Sequence, residues 1–259
     1  MRIKEIRLSI AIALFYLAWL VLWQLFADDY FTLWVRIFPK PSTIVASMVR
    51  HRELLWLGTV ETLYQAVIGL FLGAVVAFVL AIVLEPLPWL ARLLYPLLYA
   101  WQASPPIATT TLVLLLLGFG TTSKLVIVVL VTFFPIYVGF SQALAKSDRE
   151  VEALLRSYGA SRWQIFRMAR WPMAMVGFFS GVRVSATYLI SVVITAQWLG
   201  GQDGLGNTLL RSRKSYDYAL MMATIALSIG LSLLIIFISS QLEQRVMRRY
   251  HLIDKEERT

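Results

Sequence analysis

The sequence predicts an all-α fold: a polytopic membrane helical bundle of about six transmembrane helices, tied together on one side by a charged helical loop. Three observations predict it. Hydrophobic residues make up 59% of the 259-residue chain and charged residues 15%, with a mean hydropathy of +0.70. A soluble domain carries roughly 25% charged residues, so this composition fits a chain whose solvent is largely lipid. Apolar runs long enough to cross a bilayer recur six times. The formal charge of +9 gathers at the ends of those runs, as in membrane proteins, and not as a stripe suited to nucleic acid.

The first run, residues 8–26, follows Arg2, Lys4 and Arg7. No small-residue cleavage site succeeds it (Ala27-Asp28-Asp29 is a poor one), so it reads as a retained helix and not a signal peptide. The other runs lie near 57–84, 93–117, 124–144, 173–197 and 218–240. Each must be helical, because lipid offers backbone groups no partner outside the segment. Residues 27–56 read as an outer amphipathic segment with Pro39 and Pro41, then a short helix from Ser42. The turn 85–92 (EPLPWLAR) is short and proline-broken. The segment 198–217 reads as a glycine-rich outer loop, and its run Gly200–Gly206 as a tight re-entrant turn near a docking partner. The domain plan is therefore 1–56, a first helix and outer segment; 57–245, a membrane core containing the loop 145–172; and 246–259, a charged tail.

Orientation follows from basic residues. With the N-terminus inside, the inner segments hold fifteen Lys and Arg against eight outside, and Arg183 alone falls within a span. The bias favours both termini in the cytoplasm. Cysteine is absent, which excludes disulfides and thiolate chemistry. His51 and His251 lie outside the spans and far apart in sequence, so no metal site and no cofactor is expected. There is no His-Glu-x-x-His and no Gly-x-Ser-x-Gly, and Glu61 and Glu85 stand at opposite ends of one span. An enzyme is not indicated. The run Gly118–Lys124 lacks the glycine before lysine that a phosphate loop needs, so any ATP is hydrolysed by another chain.

The inner loop (SDREVEALLRSYGASRWQIFRMARWP) reads as helix, glycine stop, helix, proline. Val151, Leu154, Leu155 and Tyr158 recur at helical spacing and make one apolar face. Gly159 suits the left-handed residue that ends a helix. Ser161 with Gln164 three residues later makes a capping box. Pro172 closes the second helix before the fifth span. Such a hairpin suits a docking surface; on pattern alone it reads equally as a solvated or headgroup-binding loop.

The loop resembles the "EAA" cytoplasmic loop of binding-protein-dependent ABC importer permeases. Gly159 and Pro172 stand at the matching spacing, Ala169 fills the hydrophobic position and Trp171 the leucine position. The glutamate position falls on Ala153, the two alanines on Leu154 and Leu155, and Glu152 sits one place early. Gly159-Ala160-Ser161 fits the same pattern. The resemblance extends from about Pro39 to Arg245 and is nearest to the nitrate, sulfonate, taurine and thiamine-precursor branch, through QASPPIA, FFSGVRVSATY and WLGGQDGLG. Gln197 stands where that branch usually has Glu, and Thr111 where it usually has Pro. The resemblance implies a type I importer permease in the bacterial inner membrane that pairs with a second, identical copy. It implies docking of ATP-binding-cassette ATPases through Ala153, Leu154, Leu155, Gly159, Ala160, Ser161 and Pro172. It also implies an extracytoplasmic solute-binding protein as partner. The expected solute is a thiamine pyrimidine precursor or a related small molecule, with nitrate, taurine or an alkanesulfonate as alternatives. An ATP-independent carrier or channel is the remote one.

Candidate pathway residues come from the polar breaks. Gln102, Ser104, Pro105 and Thr109 interrupt the third span, and transporters place solutes beside such interruptions. A kinked packing helix whose threonines bond their own backbone reads the same way. Arg183 reads as a snorkelling cation, a partner for Glu85, or a contact for an anionic solute. Gln197, near the end of span five, reads as a pore contact or a helix cap. Gly69 and Gly73, and Gly177, Gly181 and Ser185, form small-residue ridges suited to close helix contact.

Overall fold

The computed structural model describes residues 2–27, 38–145, 149–201 and 203–250. Lys146, Gln202, His251 and residues 28–37 lie outside the described residues, as does most of the charged tail. The helices are α1 (Arg2–Phe26), α2 (Pro41–Arg50), α3 (Arg52–Leu84), α4 (Pro88–Ala103), α5 (Pro106–Leu117) and α6 (Thr121–Ala145). They continue with α7 (Arg149–Ser157), α8 (Arg162–Ile165), α9 (Trp171–Ala186), α10 (Leu189–Gly200), α11 (Leu205–Lys214) and α12 (Tyr218–Arg249).

Three of these, α3, α6 and α12, are unbroken and long and apolar enough to cross a bilayer. The third and fifth expected spans are each two helices. α4 and α5 meet at 101°, and the segment Arg162–Ala186 meets α10 at 46°. Counting each bent pair once gives five crossings by length and composition. In α1, Leu14–Phe26 is an apolar stretch among the described residues. The 101° bend has a local cause. Pro105 and Pro106 supply no N–H, so two carbonyls of the last turn of α4 have no helical donor. Ser104 substitutes, giving both its N–H (3.1 Å) and its hydroxyl (2.5 Å) to the Trp101 carbonyl.

The core is built around α6, flanked by α3 and α9. Small residues set these approaches. Gly69 and Gly73 of α3 face Val128 and Thr132 of α6. Gly177 of α9 faces the Gly139 carbonyl and Ala143 of α6, and Gly181 faces Pro135 and Ile136. The Ser185 hydroxyl completes this ridge by donating to the Thr132 carbonyl at 2.9 Å. Between helices in lipid, packing of this kind carries the association, since apolar surface gains nothing by leaving one hydrocarbon for another. At one end, Phe78, Phe140, Trp171 and Phe178 interlock edge-to-face.

Two expectations for the connections are corrected. Pro172 does not close a helix: a π-helical turn over Phe166–Arg170 carries the chain from α8 directly into α9. The Trp171 N–H bonds the Phe166 carbonyl, five residues back, and Pro172 lies inside the continuous segment Arg162–Ala186, directly after this turn. The turn expected over Gly200–Gly206 is shorter, because Leu205 and Gly206 already belong to α11 (Leu205–Lys214), which buries Leu205, Gly206, Asn207, Thr208 and Ser212.

Candidate functional site

The hairpin between α6 and α9 is assembled by local rules. α7 ends at Gly159, whose φ of +78° lies in the left-handed region. The Gly159 N–H bonds the Arg156 carbonyl and the Ala160 N–H bonds the Leu155 carbonyl, each at 3.0 Å; this is a Schellman ending. Ser161 then caps α8. Its side chain accepts from the Gln164 N–H at 3.3 Å, and the Gln164 side chain accepts from the Ser161 N–H at 2.7 Å. The expected capping box is therefore formed in full.

One face of this hairpin is bare. Leu154, Tyr158 and Trp163 are 56%, 82% and 67% exposed, and Ala153, Gly159 and Ser161 are exposed beside them. Trp163 stacks on Phe166 with ring centroids 5.6 Å apart. Leu155 and Ala160 are half-buried and Pro172 lies at the root.

The opposite face is locked by charge. Glu152 is 8% exposed, and Arg170 holds it in a two-pronged pair, Nε to Oε1 at 2.8 Å and Nη2 to Oε2 at 3.2 Å. Arg156 stands 3.5 Å from the same carboxylate. Paired donors in this fork are stronger than single contacts. The remaining Arg170 arm reaches Glu85, at the end of α3, at 3.4 Å. Glu152 thus faces inward, one residue before the position where the resemblance places an acid. Arg156 is an i,i+4 neighbour and visible in sequence; Arg170 is eighteen positions away, and only the fold brings it there.

The expected pathway residues are not brought together. Gln102, Ser104, Pro105 and Thr109 lie at the α4–α5 bend. There Thr109 donates to the Pro106 carbonyl at 3.1 Å and Thr111 to the Ile107 carbonyl at 2.8 Å, so both hydroxyls bond their own backbone. Arg183 pairs with Glu243 of α12 at 2.8 Å and not with Glu85. The reason is position: Glu85 meets Arg170 at the root of α9, whereas Arg183 lies twelve residues along that helix, about 18 Å at 1.5 Å per residue.

Gln197 sits elsewhere again, fully buried at the other end of the bundle. Its Oε1 accepts from the Gly206 N–H at 2.9 Å and the Thr62 hydroxyl at 3.1 Å, and its Nε2 donates to Gln65 Oε1 at 3.1 Å. Thr62 Oγ1 accepts from the Leu205 N–H at 3.0 Å, and Gln65 Nε2 donates to Glu61 at 2.6 Å. The cluster clamps the start of α11 to α3. Thr62, Gln65 and Glu61 are not distinguishable as partners from sequence; their only signal is a polar i, i+1, i+4 set within an apolar helix. Gln197→Ala leaves the Gly206 N–H and Gln65 Oε1 buried without these partners. Unfolding in detergent should show a loss of about 2 kcal/mol, with Gln197→Glu, which keeps the acceptor, losing less. Unchanged stability of Gln197→Ala would remove the clamp.

Residues 67–249 match the family model described as binding-protein-dependent transport system inner membrane component. The formylaminopyrimidine transport permease protein ThiX of Halalkalibacterium halodurans is 30% identical over 209 residues, 79% of this chain and 81% of that protein. The riboflavin transport system permease protein RibX of Chloroflexus aurantiacus is 30% identical over 216 residues, 83% of this chain and 80% of that protein. The putative aliphatic sulfonates transport permease protein SsuC of Escherichia coli is 27% identical, with 89% of each chain covered. A solved inward-facing conformation of the MetNI methionine ABC transporter superposes with a TM-score of 0.65 at 20% identity, over 76% of this chain and 98% of that chain. That likeness is one of fold.

Proposed function

We propose that this chain, which belongs to the family of binding-protein-dependent transport system inner membrane components, imports a nitrogen heterocycle of the pyrimidine-precursor class. The chain is a membrane permease subunit of an ABC importer and not an enzyme, and ATP hydrolysis belongs to a separate subunit. The heterocycle reading is carried by one observation. Two relatives at 30% identity over about four fifths of the chain are named for formylaminopyrimidine and riboflavin, both nitrogen heteroaromatics. The sulfonate-permease relative stands at 27%, so an alkanesulfonate or taurine is the second reading.

In the same reading, residues 150–170 face the cytoplasm and dock an ATPase subunit, two identical permeases pair, both termini are cytoplasmic, and an external binding protein delivers the solute. The bare aromatic and leucine face opposite the Glu152–Arg170 lock supports the docking role, because a rigid knob can transmit a push from a partner. ATP binding then swings the knob and the spans attached to it.

Reconstitution of the chain with its ATPase and binding protein in proteoliposomes tests this. ATP-dependent uptake of labelled formylaminopyrimidine, competed by riboflavin more strongly than by taurine, is the expected result. Uptake of taurine alone would move the assignment to the second reading. ATP-independent uptake by the isolated chain would sink both.

A further inference from the structure

We propose that the cavity between the ends of α3, α4 and α6 is a binding site for a small organic anion, held between Arg92 and Arg170, whose occupancy staples α4 to the docking hairpin. The cavity has a volume of about 320 Å³, within the range of small-molecule sites. Its apolar lining includes Ala81, Leu84 and Leu144. Its charged lining is Glu85, Arg92 and Arg170, two cations to one carboxylate.

Three features favour an anion. Arg92 is exposed and has no ion pair or hydrogen bond among the described residues. Arg170 gives two donors to Glu152 at 2.8 and 3.2 Å, but its third contact, to Glu85, is long at 3.4 Å. Pro88 and Ala91, in the first turn of α4, also line the space, and that turn has no side-chain cap. The positive end of the α4 dipole therefore adds to the two guanidinium groups. On the remaining wall, Tyr95 and Ser141 share a hydroxyl hydrogen bond of 3.1 Å, and Tyr137 lies against Tyr95 with ring centroids 5.9 Å apart. The aromatic wall accepts a planar body, and the cationic rim accepts its carboxylate, sulfonate or phosphate.

An oxyanion bridging Arg92 and the outer arm of Arg170 displaces Glu85 and leaves the Glu152 fork intact. It joins α4 to the turn that leads into α9. A solute or metabolite accumulating on the loop side would thus restrain the segment that the ATPase must move. The same chemistry is offered by an anionic lipid headgroup, a second source for the same site. The binding itself does not depend on the docking role of residues 150–170; its effect on turnover rests on that reading.

The test uses the full chain with its ATPase in nanodiscs and benzenesulfonate as probe, followed by titration calorimetry and by ATP turnover. In phosphatidylcholine discs, benzenesulfonate should bind and neutral benzenesulfonamide should not. Arg92→Gln should weaken binding about tenfold or more, Arg92→Lys should retain most of it, and Glu85→Gln should tighten it severalfold. Binding that persists in phosphatidylglycerol discs assigns the site to soluble anions. Binding present in phosphatidylcholine and lost in phosphatidylglycerol assigns it to the headgroup. No binding in phosphatidylcholine, or unchanged binding by Arg92→Gln, overturns the site. Turnover should fall as the probe saturates; saturation without that fall overturns the staple. A complex whose ATPase ignores the permease refutes the docking reading, while the titration still decides the site.

Discussion

Gly159→Pro should abolish solute-stimulated ATP hydrolysis by the reconstituted complex while the chain still inserts and folds. Gly159 holds a φ of +78°, and proline is fixed near −65°. Its N–H also closes the Schellman ending through the Arg156 carbonyl at 3.0 Å, and proline has no N–H. The substitution therefore removes both the backbone angle and the bond that aim α8 away from α7. Crowding plays no part, because a Cβ at this position meets nothing within 4 Å. That separates the backbone from the volume: Gly159→Ala adds the same first carbon but strains the angle by only about 1 kcal/mol, and should retain partial stimulation. Full stimulation by Gly159→Pro would show that the hairpin geometry does not transmit anything.

Gly177→Leu should prevent the chain from accumulating in folded form. Its added Cβ would run into the Gly139 carbonyl and Ala143 of α6, and a Cβ on Gly139 would run into the Gly177 carbonyl in return. The obstacle is backbone, which cannot swing aside as a side-chain tip does. Overpacking ordinarily destabilises by 1–3 kcal/mol; with two backbones facing each other, about 3 kcal/mol or more is expected. Detergent unfolding and membrane yield read this out, with Gly230→Ala as control, since no atom lies within 4 Å of a Cβ there. Equal yields for the two variants would mean that α6 and α9 do not depend on the close approach at these glycines.

What the sequence made legible was local. Ser161 and Gln164 are three residues apart, so their reciprocal caps follow from spacing alone, and the left-handed Gly159 follows from its place after an amphipathic turn. The apolar runs located the spans because lipid forces helices on them. Pro172 misleads because the π-helical turn before it depends on how Trp171 seats among Phe78, Phe140 and Phe166, which no window reveals. For Arg183, Glu85 reads as an available acid, but Glu85 lies at the root of α9 with Arg170 and α12 brings Glu243 to Arg183; the sequence says nothing of which neighbour stands beside a helical residue. The same holds for Gln197: its residue type announced a polar duty, but two of its three partners, Thr62 and Gln65, stand 135 and 132 positions away in sequence.

The inward turn of Glu152 bears on how another protein would recognise this hairpin. With that acid held by Arg170 and Arg156, what protrudes is leucine, tyrosine and tryptophan set among the cations Arg156, Arg162 and Arg167. Contour and desolvation would judge the greasy part of the fit, which ionic strength scarcely alters, while brine would weaken the charged part. A motor that seizes it would loosen in strong salt without letting go.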